Sequence, residues 1–260
     1  MRALVTGASH GGIGGAICRR MVSDALTRDE VATLVLSATG GDRGLRTLAE
    51  ELRGMGAAVH VDVGDLSDLD YPRELAARAV DTCEGLDVVV ANAGLAQAVP
   101  LGEAEVEHWE TMLAVHARAS WLIAKEAFPA LRDSKGSFIA TGSVSGILPH
   151  GGLGAYSVAK AALIMMCQTL AMEWGPAGVR VNVVSPGPIR TPISSKLGNN
   201  PAELEAKAAR RASILPIRRL GHPDDVAAAV AFLAGPDGGF ITGENLVVDG
   251  GLSRSVNQHV

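Results

Sequence analysis

Aromatic side chains are scarce in this 260-residue chain, only 3% of it, and 31 glycines stand against them. That balance fits an aromatic-rich β-sandwich poorly and suits a fold with many tight turns and close backbone approaches. Cysteine is nearly absent: Cys18, Cys83 and Cys167 lie far apart and form no C-x-x-C pair, so neither a disulfide framework nor a metal site is suggested. They read as reduced, buried small residues. Basic clusters are missing too. Nothing longer than Arg19-Arg20, Arg210-Arg211 and Arg218-Arg219 occurs and the net charge is −5, which argues against nucleic acid as a partner. Residues 137 to 159 carry no charge but are interrupted by Pro149, His150 and several Gly and Ser, and the apolar run Ala161 to Met172 is too short to span a membrane. The opening MRALVTG enters an apolar strand with no long hydrophobic run and small-residue cleavage site behind it, so a soluble, cytoplasmic protein is expected.

What is present is a chain that folds: 47% hydrophobic and 20% charged residues, a mean hydropathy of +0.21, and a mass of 26.8 kDa within reach of one α/β domain over 1–260. Seven short apolar runs recur between helical patterns: Ala3-Val5, Thr33-Ala38, Ala58-Val63, Asp87-Ala91, Ser137-Ala140, Arg180-Val184 and Asn245-Val248. Several are apolar on consecutive residues, as expected of strands covered by helices on both faces of a parallel sheet. Pro72, the sequence Asn200-Pro201 with Glu203, and the pair Pro223 and Gly235 mark helix boundaries. No linker and no repeat beyond the βα alternation is visible. The expected fold is α/β, a doubly wound parallel seven-stranded sheet of the Rossmann type.

Two constellations carry chemistry. The first strand runs into Thr6-Gly7-Ala8-Ser9-His10-Gly11-Gly12-Ile13-Gly14-Gly15, a Gly-rich turn feeding an apolar-periodic helix. Such a turn lets backbone N–H groups and a helix N-terminus approach a pyrophosphate, although a Gly motif alone is a weak signal that a flexible connection also satisfies. The second is Tyr156 and Lys160, a phenol and an ammonium at i and i+4 on one helix face. A nearby cation favours phenolate, so Lys160 is expected to lower the Tyr156 pKa and make it a general acid/base. By default such a pair is only an exposed contact. Ser143, at the end of a strand, offers a hydroxyl for a substrate carbonyl or is simply a turn residue.

Taken in order, Thr6-Gly7 with Gly12-Ile13-Gly14, Asp65, Asn92-Ala93-Gly94, Ser143, Tyr156 with Lys160, Pro186-Gly187 with Thr191, and Asp249-Gly250-Gly251 resemble the short-chain dehydrogenase/reductase family over nearly the whole chain. The resemblance is to its compact single-domain branch, most of all to the 3-oxoacyl-thioester (acyl-carrier-protein) reductases. It implies hydride transfer between a nicotinamide and a carbonyl or secondary alcohol. Tyr156 is then the proton donor or acceptor, Lys160 binds the nicotinamide ribose and tunes Tyr156, and Ser143 polarises the substrate oxygen. The resemblance further implies Gly7, Ser9, Gly12, Ile13 and Gly14 at the pyrophosphate and ribose, Asp65 and Leu66 at the adenine, and Asn92, Ala93 and Gly94 along the ribose side. Pro186, Gly187, Ile189 and Thr191 belong to the segment that receives the nicotinamide carboxamide. It implies a homotetramer as well, built through helices around 104–131 and 155–174 and the C-terminal strand.

Three departures stand out. The phosphate loop is one residue longer than the family's pattern, to be absorbed by Gly11 in a positive-φ conformation, by His10 displaced towards the adenosine ribose, or by plain accommodation. His116 occupies the position where the family has its catalytic Asn, and either holds the relay water or is a packed helix histidine. The end of the second strand, Leu36-Ser37-Ala38-Thr39, lacks the carboxylate that would meet a ribose 2′-hydroxyl, so NADP(H) is expected ahead of NAD(H), with Ala38, Thr39, Arg43 and His10 near the 2′-phosphate. Substrate recognition is expected from about 188–215 and from Val144 to Gly154, with Ile147, Leu148, Leu153, Ile193, Leu197 and Ile214 as apolar lining and His150 in the same loop. The alternative reading is a low-turnover nucleotide-binding scaffold or sensor of the same fold. A lyase-like offshoot that replaces the nicotinamide by an anion is disfavoured by the intact Gly12-Ile13-Gly14 and Asn92-Ala93-Gly94.

Overall fold

The computed structural model describes residues 1–39, 43–191 and 201–255. Its strands are β1 (Arg2–Thr6), β2 (Thr33–Ala38), β3 (Ala58–Val63), β4 (Val88–Ala91), β5 (Ser137–Thr141), β6 (Arg180–Pro186) and β7 (Asn245–Val248). All seven are parallel, in one sheet of order β3-β2-β1-β4-β5-β6-β7. The chain starts at the centre and reverses direction across the sheet between β1 and β4. A crevice opens there at the carboxyl ends of the strands, where ligands of such sheets bind.

Eight α-helices lie on the two faces among the described residues: α1 (Ile13–Thr27), α2 (Arg43–Gly54), α3 (Tyr71–Cys83), α4 (Val106–Leu113), α5 (Ala119–Ser134), α6 (Gly154–Trp174), α7 (Pro201–Ser213) and α8 (Pro223–Ala234). Pro72, Pro201 and Pro223 stand in first turns, where a missing N–H removes no helical bond. At α8 the Asp225 carboxylate also accepts from the His222 N–H at 2.7 Å, which closes a capping box.

The apolar runs work because neighbouring residues on a strand serve opposite cores. Ala3, Val5, Leu34, Leu36, Val88 and Val90 pack with Ile17, Leu48 and Val230 beneath α1, α2 and α8. Leu4, Val35, Val89 and Phe138 point the other way, into Leu75, Ile123, Leu131 and Leu163 of α3, α5 and α6. Helix α6 exceeds the apolar run read from the sequence. Its 21 residues are long and apolar enough to cross a membrane by length and composition, and nearly half of its most apolar stretch is buried in the fold, Lys160 included. Ala155, Ala159 and Ala171 are buried within this one chain.

Phe138 is fully buried in the second core, so Phe138→Ala leaves a cavity under β5. We expect it to lower the unfolding free energy by about 3–5 kcal/mol, read as a lower denaturant midpoint at unchanged slope.

Candidate active site

The turn after β1 is built on close approach. A Cβ on Gly14 would sit 2.4 Å from the Gly7 carbonyl oxygen, and one on Gly15 would sit 2.2 Å from that of Ser9. The loop therefore folds directly onto the first turn of α1. Gly7 adopts φ +65°, and this left-handed residue turns the chain in place of Gly11, so the expected positive φ at Gly11 is not the device. His10, in the lengthened loop, lies against α2. Its Nε2 lies 3.4 Å from Glu51 Oε2 on α2, its carbonyl accepts from Arg19, and Arg19 forks onto Glu51 at 2.6 and 2.8 Å. No side chain caps α1 at Gly12, which leaves the leading N–H groups of Ile13, Gly14 and Gly15 facing the crevice with the positive end of the helix dipole.

Asn92, just past β4, joins this loop to the next strands. Its amide donates to the carbonyls of Thr6 and Gly7, each at 3.2 Å, and its Oδ1 accepts from Thr141 Oγ1 at 3.1 Å. The Thr6 hydroxyl oxygen accepts from the N–H groups of Asn92 and Ala93, both at 3.1 Å. The Asn92 side chain is thus consumed inside the protein and leaves the ribose side to the Asn92-Ala93-Gly94 backbone. Sequence reasoning assigned no role to the Thr6 and Thr141 hydroxyls. The signal was a hydroxyl residue ending an otherwise apolar strand.

Ser143, Tyr156 and Lys160 come together beside this junction. Ser143 is buried at the head of a one-turn helix, where its oxygen accepts from the Ser145 N–H at 3.1 Å. Lys160 is buried and its Nζ donates to the Thr141 carbonyl at 2.6 Å, lying 5.9 Å from the centre of the Tyr156 ring. The expected depression of the Tyr156 pKa by Lys160 does not occur in this state. Burial pushes the phenol up and the Ser143 hydroxyl counters only in part, while burial drives Lys160 itself down to about 7 and so thins its charge.

His116 sits in a π-turn, Ala114–Arg118, between α4 and α5. It is 1% exposed, its ring meets Tyr156 edge-on at 5.2 Å, and its Nε2 lies 2.9 Å from the Leu95 carbonyl. The same nitrogen lies 3.4 Å from the Leu95 N–H, but the shorter contact with the carbonyl favours a protonated Nε2; Nδ1 is buried with no partner. Burial, then the Lys160 charge, push its pKa down to about 3, so the imidazole is neutral. His116 is therefore part of the constellation rather than a remote packed histidine.

The remaining expectations divide. Asp65 Oδ1 accepts from the Ser67 N–H at 2.8 Å in a turn after β3, and Leu66 is buried in the second core. Ala38 ends β2 and the exposed Thr39 follows it, with exposed Arg43 opening α2. Pro186 closes β6, and Gly187 is pressed on Asp249, where a Cβ would lie 2.6 Å from Asp249 Cβ. Ile189 bridges to Gly221 next to Arg190 and Thr191. Within the segments expected to bind substrate, Ile147, Leu148 and Ile214 are exposed, whereas Ile193 and Leu197 lie outside the described residues. His150 is exposed, with Nδ1 at 3.0 Å from the Gly151 carbonyl.

Comparison with known proteins agrees with this geometry. The family model described as enoyl-(acyl carrier protein) reductase matches residues 7–253. A short-chain dehydrogenase/reductase of Hericium erinaceus, eriH, is 35% identical over 96% of this chain and 96% of its own. The chain belongs to the short-chain dehydrogenase/reductase family. Within the family it is 34% identical to the glucose 1-dehydrogenase of Gluconobacter oxydans, over 97% of this chain and 91% of that one. A short-chain dehydrogenase of Burkholderia cenocepacia solved in complex with NADP superposes with a TM-score of 0.85 at 33% identity, covering 96% of this chain and 97% of that one.

The buried His116 has a measurable consequence. Between about 3 and the ordinary histidine value of about 6.5 the unfolded chain binds a proton that the folded chain refuses, so stability rises with pH across that window. The benefit is complete above pH 6.5 and is lost as pH falls towards 3. His116→Gln should flatten the dependence of the melting temperature on pH between 4 and 6.5, measured by calorimetry.

Proposed function

We propose that Tyr156, Ser143 and Lys160 carry the proton side of a carbonyl reduction, or of the reverse alcohol oxidation, on a small-molecule substrate. As a short-chain dehydrogenase/reductase the chain is a nicotinamide-dependent oxidoreductase, and the nicotinamide ring supplies or takes up the hydride when bound. The observation that carries the residue assignment is the convergence of one phenol, one hydroxyl and one buried ammonium, linked through Thr141 and Asn92 to the turn that precedes α1. The donor set suits a dinucleotide: leading N–H groups of a helix for the diphosphate, presented by a loop that closes on itself at Gly7, Gly12 and Gly14, where added Cβ atoms would meet Ala93, Ser9 and Gly7 at 2.6, 2.7 and 2.4 Å.

In reduction, the Ser143 hydroxyl donates to the substrate oxygen and holds it against Tyr156 Oη. Tyr156, protonated at neutral pH because burial opposes phenolate, gives its proton to that oxygen as the carbon is reduced. With the cofactor bound, Lys160 would hold the ribose hydroxyls and, as an ammonium, would stabilise the phenolate that Tyr156 leaves behind, while the neutral His116 packs the phenol from the side. Burial keeps water from competing for the proton.

NADP(H) is our first choice and NAD(H) the second. Support comes from the absence of a carboxylate in Leu36-Ser37-Ala38-Thr39 and from the NADP held by the Burkholderia cenocepacia relative. We further propose a cytoplasmic homotetramer. Trp121 on α5, Met165 and Met172 on α6, and Phe240 before β7 are exposed apolar side chains of the kind that subunits cover.

Loss of reduced-nicotinamide absorbance, followed with NADPH and NADH across β-ketoacyl thioesters, cyclic ketones and diketones, tests the reading. Tyr156→Phe should cost about 10²–10⁴-fold in kcat with cofactor affinity nearly unchanged. A variant as fast as the parent overturns the role of Tyr156, and tight cofactor binding without turnover on any substrate in either direction favours a scaffold. Light scattering should give four chains per particle; a monomer overturns the assembly.

A further inference from the structure

Two buried nitrogens without a partner, His116 Nδ1 and Arg118 Nε, fall in the same five-residue π-turn, Ala114–Arg118. A π-turn inserts one residue into a helix and rotates the residues beyond it by about 100°. Its two polar side chains bond to different strand ends. Positions two apart on a helix do not face each other. His116 reaches Leu95 in the segment after β4, and its ring fills the space that a Cβ on Gly94 would enter, 2.6 Å from Cε1. Arg118 donates to the Ser67 carbonyl in the segment after β3.

Those two segments need an external tie. β3 and β4 are spaced by the ladders through β2 and β1, but those ladders stop at Val63 and Val90 and do not extend to the segments that follow the two strands. The segment after β3 is a series of turns that Asp65 and Asp68 close on themselves: Asp65 Oδ1 accepts from Ser67 N–H at 2.8 Å, and Asp68 Oδ1 from Asp70 and Tyr71 N–H at 2.7 and 2.9 Å. Arg118 joins that self-contained loop to the helix carrying His116.

We infer that the π-turn is a positioning element for both ends of the dinucleotide groove, with Arg118 holding the adenosine-side loop at Ser67 in register with the catalytic end at His116. The inference rests on the proposed dinucleotide site. The sheet spaces the strands themselves, and the π-turn, bonded to Leu95 through His116 and to Ser67 through Arg118, ties the two segments beyond the strand ends to one element.

Calorimetric titration separates the ends. NADPH, adenosine 2′,5′-bisphosphate and nicotinamide mononucleotide are titrated into the parent, Arg118→Met, Arg118→Lys, His116→Gln and the double variant Arg118→Met with His116→Gln. Arg118→Met should weaken adenosine bisphosphate about tenfold or more, as expected for a lost charged hydrogen bond, and leave the mononucleotide unchanged. For NADPH the double variant should lose less than the product of the single losses, because a tie cut at one end is already cut. Arg118→Lys keeps the charge without the planar fork and should fall between the parent and Arg118→Met; it carries the test should Arg118→Met fail to fold by circular dichroism. Unchanged binding of adenosine bisphosphate in the Arg118 variants, equal weakening of both fragments, or strictly multiplicative losses overturns the inference. A parent protein that binds neither NADPH nor its fragments overturns the dinucleotide site instead.

Discussion

The Asn92 carboxamide is the junction on which the site depends. At the carboxyl edge of the sheet the β1 and β4 chains separate to make the crevice, and the ladder that held them parallel ends there. One side chain replaces it, donating to two carbonyls of the turn after β1 and accepting from the hydroxyl that ends β5. Through the carbonyl of the same Thr141, the lysine on α6 joins the chain of contacts. Phosphate loop and proton-handling corner are thereby built from one polar seam. Each member is satisfied by another protein atom, which is the condition under which buried polar groups specify a structure instead of weakening it.

Electrostatics in that corner is governed by dehydration more than by pairing. Tyr156, Lys160 and His116 all shift in the direction that removes charge. A phenol, an amine and an imidazole, each pressed towards neutrality and facing one another, form a corner whose charge is set by what enters it. The arrangement explains why the i, i+4 pairing of Tyr156 and Lys160 does not by itself make an activated phenol.

The alternation of apolar strands and helices made the architecture readable from the sequence. Thr33–Ala38, Ala58–Val63 and Asn245–Val248 occur as read, and the other strands differ at their ends by one or two residues. Prolines at 72, 201 and 223 announced their helices because their backbone chemistry is local. Motifs likewise revealed which residues would gather, since Ser143, Tyr156 and Lys160 do converge. Partner choice was not legible. Nothing in Ala114-Val115-His116-Ala117-Arg118 signals an extra residue in a helical turn, and the Asn92 side chain turns inward because carbonyls of a strand 86 residues earlier lie in reach. Such choices depend on contacts between distant parts of the chain, which periodicity does not encode.

The three thiols have a consequence of their own. Cys18 lies in the core beneath α1, whereas Cys83 and Cys167 lie in the core beneath α3 and α6. Dehydration holds Cys18 and Cys167 as unreactive thiols, with pKa values pushed up to about 12. A thiol reagent therefore reacts with each layer only during the moments when that layer opens. The sheet separates two native clocks, and their rates would distinguish fraying of one helical layer from cooperative unfolding of the whole.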